Sequence, residues 1–187
     1  TKTKRLIQEV GSNRRIKMIG DITDIMSSGY LPLNNHWQFG RFWQALSSNN
    51  VDGLRLRAGF RSFFSTDDRF RTYFYGAYGL KDKKFKFGVS GKYLLSHSPR
   101  ITIGGAFQDD NLQLGSFVLH DDTNLDFQKT TNFIIALGEN YYLTRNKKIQ
   151  GVLNFNLDTN VQLSVFGTYQ NLRSASEDHF LIAYQNP

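Results

Sequence analysis

The acidic residues after Gln108 form the densest chemical grouping in this sequence. Asp109, Asp110, His120, Asp121, Asp122 and Asp126 fall in one stretch. Carboxylates gathered on a loop can hold Ca²⁺, and a histidine beside an aspartate can hold a transition metal. The spacing does not follow the alternating oxygen ligands of an EF-hand, so the stretch reads as a solvated surface loop. His36, His97, His120 and His179 stand far apart, without HExxH spacing. Ser96-His97-Ser98 sets hydroxyls beside an imidazole but lacks a GxSxG elbow. Gly76-Ala77-Tyr78-Gly79 leads into no helix and so makes no phosphate loop. There is no cysteine, hence neither a disulfide framework nor a thiolate metal site. The expectation is a protein that is not an enzyme and holds no cofactor or metal.

The cations are more orderly. Arg55, Arg57 and Arg61 recur at even spacing, and Arg71, Lys86, Lys92 and Arg100 fall on the corresponding polar face of the runs that follow. In a strand, side chains point alternately to opposite faces, so such a row shares one face. A helix, with its period of 3.6, would scatter it. The net charge of +7 suits nucleic acid, anionic headgroups or an anionic solute. Single-strand nucleic-acid binders need aromatics among the cations on the same face. Here the aromatics fall mostly on the other side, so nucleic acid is not expected.

The elements that must carry this row are antiparallel hairpins. Four runs alternate apolar and polar residues: Leu54 to Phe64, Phe70 to Leu80, Phe85 to Leu95 and Arg100 to Gln108. Turns rich in Asp, Ser, Lys and Pro separate them at 65–68, 81–84 and 96–99. Three of the runs are eleven residues long and the fourth nine. A strand tilted across a membrane needs ~9–11 residues, whereas soluble strands peak near ~5–6. No stretch approaches the ~18 apolar residues of a spanning helix. The fold class is therefore all-β: an antiparallel up-and-down meander forming a transmembrane β-barrel or a segment of a larger one. Leu54, Leu56, Phe60, Phe74, Phe85, Phe87, Val89, Ile101 and Ile103 would face lipid. Arg55, Arg57, Arg61, Arg71, Lys86 and Lys92 would face the lumen. A basic lumen would favour anions or grip an acidic plug. Glycines within strands, Gly91, Gly105, Gly151 and Gly167 among them, suit a curved wall.

Two domain regions are expected. Residues 1–50 read as an irregular N-terminal segment, with a short strand at 14–19, a helical turn at 21–28 and aromatic-dense stretches at 29–43 that form an extended edge or a plug-like segment. Residues 51–187 read as barrel, with a long outward loop at 109–131. Ile149 to Leu157 and Val161 to Tyr169 are two further strands around an Asp158-Thr159-Asn160 turn. Phe133 to Leu143 is ambiguous, because a strand there would put Glu139 on the apolar face. Phe180 to Tyr184 offers one more strand, for a total of seven to nine. The chain opens on Thr1 without an apolar signal core, so it reads as a mature form or a piece of something longer.

Two stretches resemble a known family. Asn49-Asn50-Val51-Asp52-Gly53-Leu54-Arg55-Leu56-Arg57-Ala58-Gly59 resembles an N-x-x-E-G-x-R-x-R-x-G pattern, with Asp52 where Glu is usual. Tyr75 to Lys86 resembles a Y-x-x-Y-G-x-x-D-x-x-x-K hairpin. Both are similar to the barrel region of Bacteroidetes-type outer-membrane proteins that carry an N-terminal carboxypeptidase-regulatory-like β-sandwich, a family of unknown function. The resemblance implies location in a bacterial outer membrane, outer-membrane lipid as a partner, and further strands or domains of the same polypeptide. Transport, envelope assembly and surface display are the roles open to such a barrel. The alternative is a soluble secreted β-barrel binding an apolar ligand, in which the Leu/Phe face would point inward. A barrel lipase or protease would need a Ser/His/Asp group on one wall, and none is visible.

Overall fold

A computed structural model describes residues 18, 22–23, 25–34, 36–62, 69–113, 125, 143–158 and 161–176. Its strands are β1 (Tyr30–Pro32), β2 (Gln38–Gly40), β3 (Leu46–Asn49), β4 (Gly53–Ser62), β5 (Phe70–Gly79), β6 (Phe85–His97), β7 (Arg100–Gln113), β8 (Leu143–Asp158) and β9 (Val161–Ser174). All belong to one antiparallel sheet, in the order β1-β2-β4-β5-β6-β7-β8-β9, with β3 also on β4. β4 is shared: its Phe60 and Arg61 pair with β2, and its Gly53 to Leu56 pair with β3. A 3-10 turn at Phe42–Gln44 bridges the two partners.

The expected meander is therefore present, but among the described residues the sheet does not close into a barrel. One edge is β1, three residues long, and the other is β9, fourteen residues long. A three-residue strand offers β9 no ladder to complete. Several boundaries also differ from the sequence reading. β4 starts at Gly53, the turn after β6 shrinks to Ser98-Pro99, and β9 runs on to Ser174. The long loop expected from residue 109 is a correction: β7 continues through Gln113, paired to Leu143, Thr144 and Arg145 of β8. Residues 30–49 contribute three short strands, β1 and β2 at one edge of the sheet and β3 on β4. Residues 25–28 are helical, in line with the expected turn. Of the strand expected at 14–19 only Met18 is described, and it is helical; the expectations for 65–68, 180–184 and Glu139 lie outside the described residues, and of Phe133 to Leu143 only Leu143 is described, as the first residue of β8.

The alternation has its expected physical effect. Leu54, Leu56, Phe74, Phe85, Phe87, Val89 and Ile103 are exposed on one face, with Phe60 and Ile101 half-buried beside them. Arg55, Arg57 and Lys86 are buried on the other face, and Arg61, Arg71 and Lys92 are half-buried there. The polar side is the inside of this sheet. Tyr75, Ala77, Leu94, Leu125 and Val152 share that buried side.

Glycines serve the two faces differently. On the inner face they make room: a Cβ at Gly88 would meet the Tyr75 ring at 2.4 Å, and one at Gly104 would meet Leu125 at 2.5 Å. On the outer face Gly91, Gly105, Gly151 and Gly167 stand in one register line across β6 to β9. A row without side chains across four strands lets the sheet bend along it.

Candidate functional site

The local sequence builds the site at one end of the inner face. In the turn between β3 and β4, the Asn49 Oδ1 accepts hydrogen bonds from the backbone N–H groups of Val51 (3.0 Å) and Asp52 (2.7 Å). Such side-chain turns are what Asn favours. Gly53 then takes φ +66°, a conformation that suits glycine. This pair aims the Asp52 carboxylate inward beneath β4. The neighbouring turn between β5 and β6 docks against it, with the Lys81 N–H donating to the Asp52 carbonyl at 2.8 Å.

Around Asp52 the cations and carboxylates interlock. Arg55 donates through both terminal nitrogens to Asp110, at 2.7 and 2.8 Å, and lies 3.3 Å from Asp52. Lys86 reaches Asp52 at 3.0 Å and Asp82 at 2.6 Å. The Tyr75 hydroxyl donates to Asp110 at 2.7 Å and accepts from the Gln108 amide at 2.9 Å. The Asn111 amide donates to Asp52 at 2.6 Å. Arg57 stacks its guanidinium 3.8 Å from the Tyr75 ring centre and donates to the Tyr73 hydroxyl. Arg55, Lys86, Asp52 and Asp110 are all 0 % exposed. Charges this dry persist only when paired and hydrogen-bonded. Burial alone would raise the Asp52 carboxyl pKa; Lys86 and Arg55 beside it, with the Asn49 hydrogen bond, outweigh that and hold it below the usual carboxylate range.

The network also reports the shape of the sheet. Arg55 lies on β4 and Asp110 on β7, three strands away. In a flat sheet those strands stand about 14 Å apart and their side chains rise roughly parallel. Direct contact requires the sheet to curl, with the polar face on the concave side. At this end the hollow is filled by side chains.

Sequence reasoning found the two cations and missed their partners. Asp52 entered only as a departure from a pattern, and Asp110 as one carboxylate of a loop. Asp109 is likewise in a strand, bound to Arg145 and within 3.7 Å of Lys147. Neither aspartate is free for the loop metal chemistry considered above. His120, Asp121, Asp122 and Asp126 lie outside the described residues, and among the described residues no group of three or more His, Cys, Asp or Glu is placed to hold a metal ion. Lys86 has a further partner in Asp82, in the turn between β5 and β6.

The pattern positions quoted for the two stretches converge here. Asn49, Asp52, Arg55, Arg57, Tyr75, Asp82 and Lys86 are members of the network. Gly53 shapes its turn, and Gly79 leaves room for it: a Cβ there would meet the Asp82 carboxylate at 2.3 Å. Tyr78 points outward, and Gly59 leaves room instead for the Gly40 carbonyl of β2. The other half of the basic row differs. Arg61 lies 3.3 Å from the Tyr30 ring centre and donates to the Gln38 side chain at 2.7 Å, and Arg71 stands opposite Lys92 in the ladder.

Among the described residues no helix is long and apolar enough to cross a membrane, which leaves strand-based crossing open. No family model, no curated protein and no solved structure matches the chain.

Proposed function

We propose that this chain is part of the wall of a transmembrane β-barrel in a bacterial outer membrane, with its apolar face toward lipid and a filled, charge-balanced interior at the Asp52 end. The observation that carries this reading is the inversion of the sheet. Leu56, Phe87 and Val89 are 46 %, 39 % and 46 % exposed, while Arg55 and Lys86 are dry on the opposite face. An apolar surface that crosses most of a long meander exceeds what soluble monomers leave bare. Lipid is the solvent that suits it, since spanning strands alternate apolar-out and polar-in. β4 and β5, ten residues each, have the length a tilted crossing needs, ~9–11 residues. The soluble alternative, a secreted barrel with its Leu/Phe face around an apolar ligand, requires the reverse orientation of the two faces.

The interior bears on the role. A free basic lumen would favour anion passage, but Arg55 and Lys86 are neutralised by Asp110, Asp52 and Asp82. A scaffold for envelope assembly or surface display fits this filled end better than an open anion channel. The resemblance to the barrel region of carboxypeptidase-regulatory-like outer-membrane proteins belongs to the same proposal, as do neighbouring strands that would complete the ring between β9 and β1.

Fractionation tests the reading. The chain should stay with carbonate-washed membranes and enter solution only with detergent. Recovery as a monodisperse protein without detergent would sink it.

A further inference from the structure

On the outer face, next to the Asp52 end, the apolar surface is dented. The cross-strand pair Ala58 and Gly76 forms the floor, and Leu46, Leu56, Tyr78 and Phe85 stand around it. The depression measures about 460 Å³. Phe85 leans over Gly76, where a Cβ would come within 2.9 Å of its ring. Small side chains on the floor and large ones at the rim give a slot rather than a smooth wall.

The slot opens toward a basic turn. Lys83 and Lys84, at the end of the turn that leads directly into Phe85, are both exposed. Among the described residues neither side chain has an ion-pair partner. The acid between Lys81 and Lys83 offers them no balance: the Asp82 carboxylate is taken by Lys86 at 2.6 Å and by the Lys84 backbone N–H at 3.1 Å. Tyr78 at the rim, and Trp43, exposed two residues along the chain from Ala45 of the lining, are amphipathic rings of the kind that settle at a membrane surface. Apolar depth, aromatic rim and free cations follow one another from the wall to the strand end.

We propose that this slot binds one anionic membrane lipid, an acyl chain lying over Ala58 and Gly76 and the headgroup phosphate between Lys83 and Lys84. The inference rests on the membrane-spanning reading and adds a site and a ligand class to it. Complementarity of charge commits the occupant: a second copy of this chain would bring the same cations to the same rim, and a neutral lipid would leave them unmatched. Lysine reads phosphate as a point charge, so the selection is for anionic headgroups rather than for one headgroup shape.

Tryptophan quenching by brominated lipid tests it. The chain has two tryptophans, Trp37 and Trp43, so Trp37→Phe leaves a single reporter, two residues along the chain from Ala45 of the slot. This variant is reconstituted in phosphatidylcholine vesicles carrying equal mole fractions of either brominated phosphatidylglycerol or brominated phosphatidylcholine. The anionic quencher should be more effective by about two-fold or more, since anionic lipid gathers at juxtamembrane lysines. The preference should vanish with Lys83→Gln/Lys84→Gln and weaken in high salt, which screens exposed charges. Ala58→Leu, which fills the floor without touching a charge, should lower quenching by the anionic lipid. Equal quenching by both lipids overturns the site and leaves the membrane reading standing. Quenching by neither overturns both.

Discussion

The basic row on the inner face divides into two regions that obey different physics. At the Asp52 end, Arg55 and Lys86 are fully dry, and each meets two carboxylates. Toward the other end, Arg61 is half-buried, stacked on Tyr30 and hydrogen-bonded to a neutral amide. One alternating pattern produced both. The parity of a strand decides only which face a cation meets; what it finds there depends on residues from distant strands. The dry end ties β4, β6 and β7 together through charge, and so fixes curvature. The stacked end ties β4 to the short β1 and β2 through aromatic contact and fixes only a local edge.

That contrast is broken most severely at Arg55. Arg55→Ala leaves Asp110 buried without its cation and Asp52 with Lys86 alone, a change that costs about 3–5 kcal/mol. Urea unfolding of the reconstituted protein should show it. The double variant Arg55→Leu/Asp110→Leu should recover most of the loss, because removing both partners of a dry pair is often near neutral. Failure of the double to recover would mean that Arg55 matters for something other than the pair. The opposite face gives the next largest effect. Ala58→Arg puts a charge into the lipid-facing wall at the middle of β4, at about 2–4 kcal/mol near the bilayer midplane. Folding yield into vesicles should fall, whereas an unchanged yield would place that face in water. Arg57→Leu, one residue away on the inner face, loses its stack on Tyr75 and its bond to Tyr73, at about 2 kcal/mol for a desolvated cation–π contact. It should weaken the fold and leave insertion intact.

Acid should loosen the dry end. Asp52 is held below the usual carboxylate range in the folded chain. It therefore contributes stability that is complete above its unfolded value, ~3.9, and is lost as pH falls through the lower folded value. Unfolding midpoints measured from neutral pH downward should drop in that window for the wild type. Asp52→Asn, less stable at neutral pH, should show a shallower drop. Parallel curves for the two proteins would remove Asp52 from the pH response.

The sequence carried the faces and not the pairings. Alternation in β4 to β7 was legible because period 2 survives any tertiary context. The last residues of β7 and the first of β8 were not. Asp109-Asp110-Asn111 and Arg145-Asn146-Lys147-Lys148 have the composition of a loop, yet they form a continuous ladder. Ion pairs from Asp109 to Arg145 and from Asp110 to Arg55 override local propensity there. One signal was available: Asp110 has the parity of Gln108 and Gly104, so extending the run by two residues would have put it on the inner face opposite the arginines. Nothing local pairs it with a residue fifty-five positions earlier. Closure was equally invisible, since repeated hairpins fix neighbour order without saying whether the last strand meets the first.

The smallest effect should fall on the stacked end. Arg61→Gln removes the guanidinium from Tyr30 and its bond to Gln38, but at a half-buried site water replaces part of both. A cation–π contact in such a setting contributes about 0.5–1 kcal/mol, against several for Arg55. If the division of the basic row is real, the loss should stay local: hydrogen exchange should quicken in β1 and β2 while the β4 to β7 ladder keeps its protection. Quickened exchange throughout the sheet would mean that Arg61 also holds the curl, and that the inner face is one charged system rather than two.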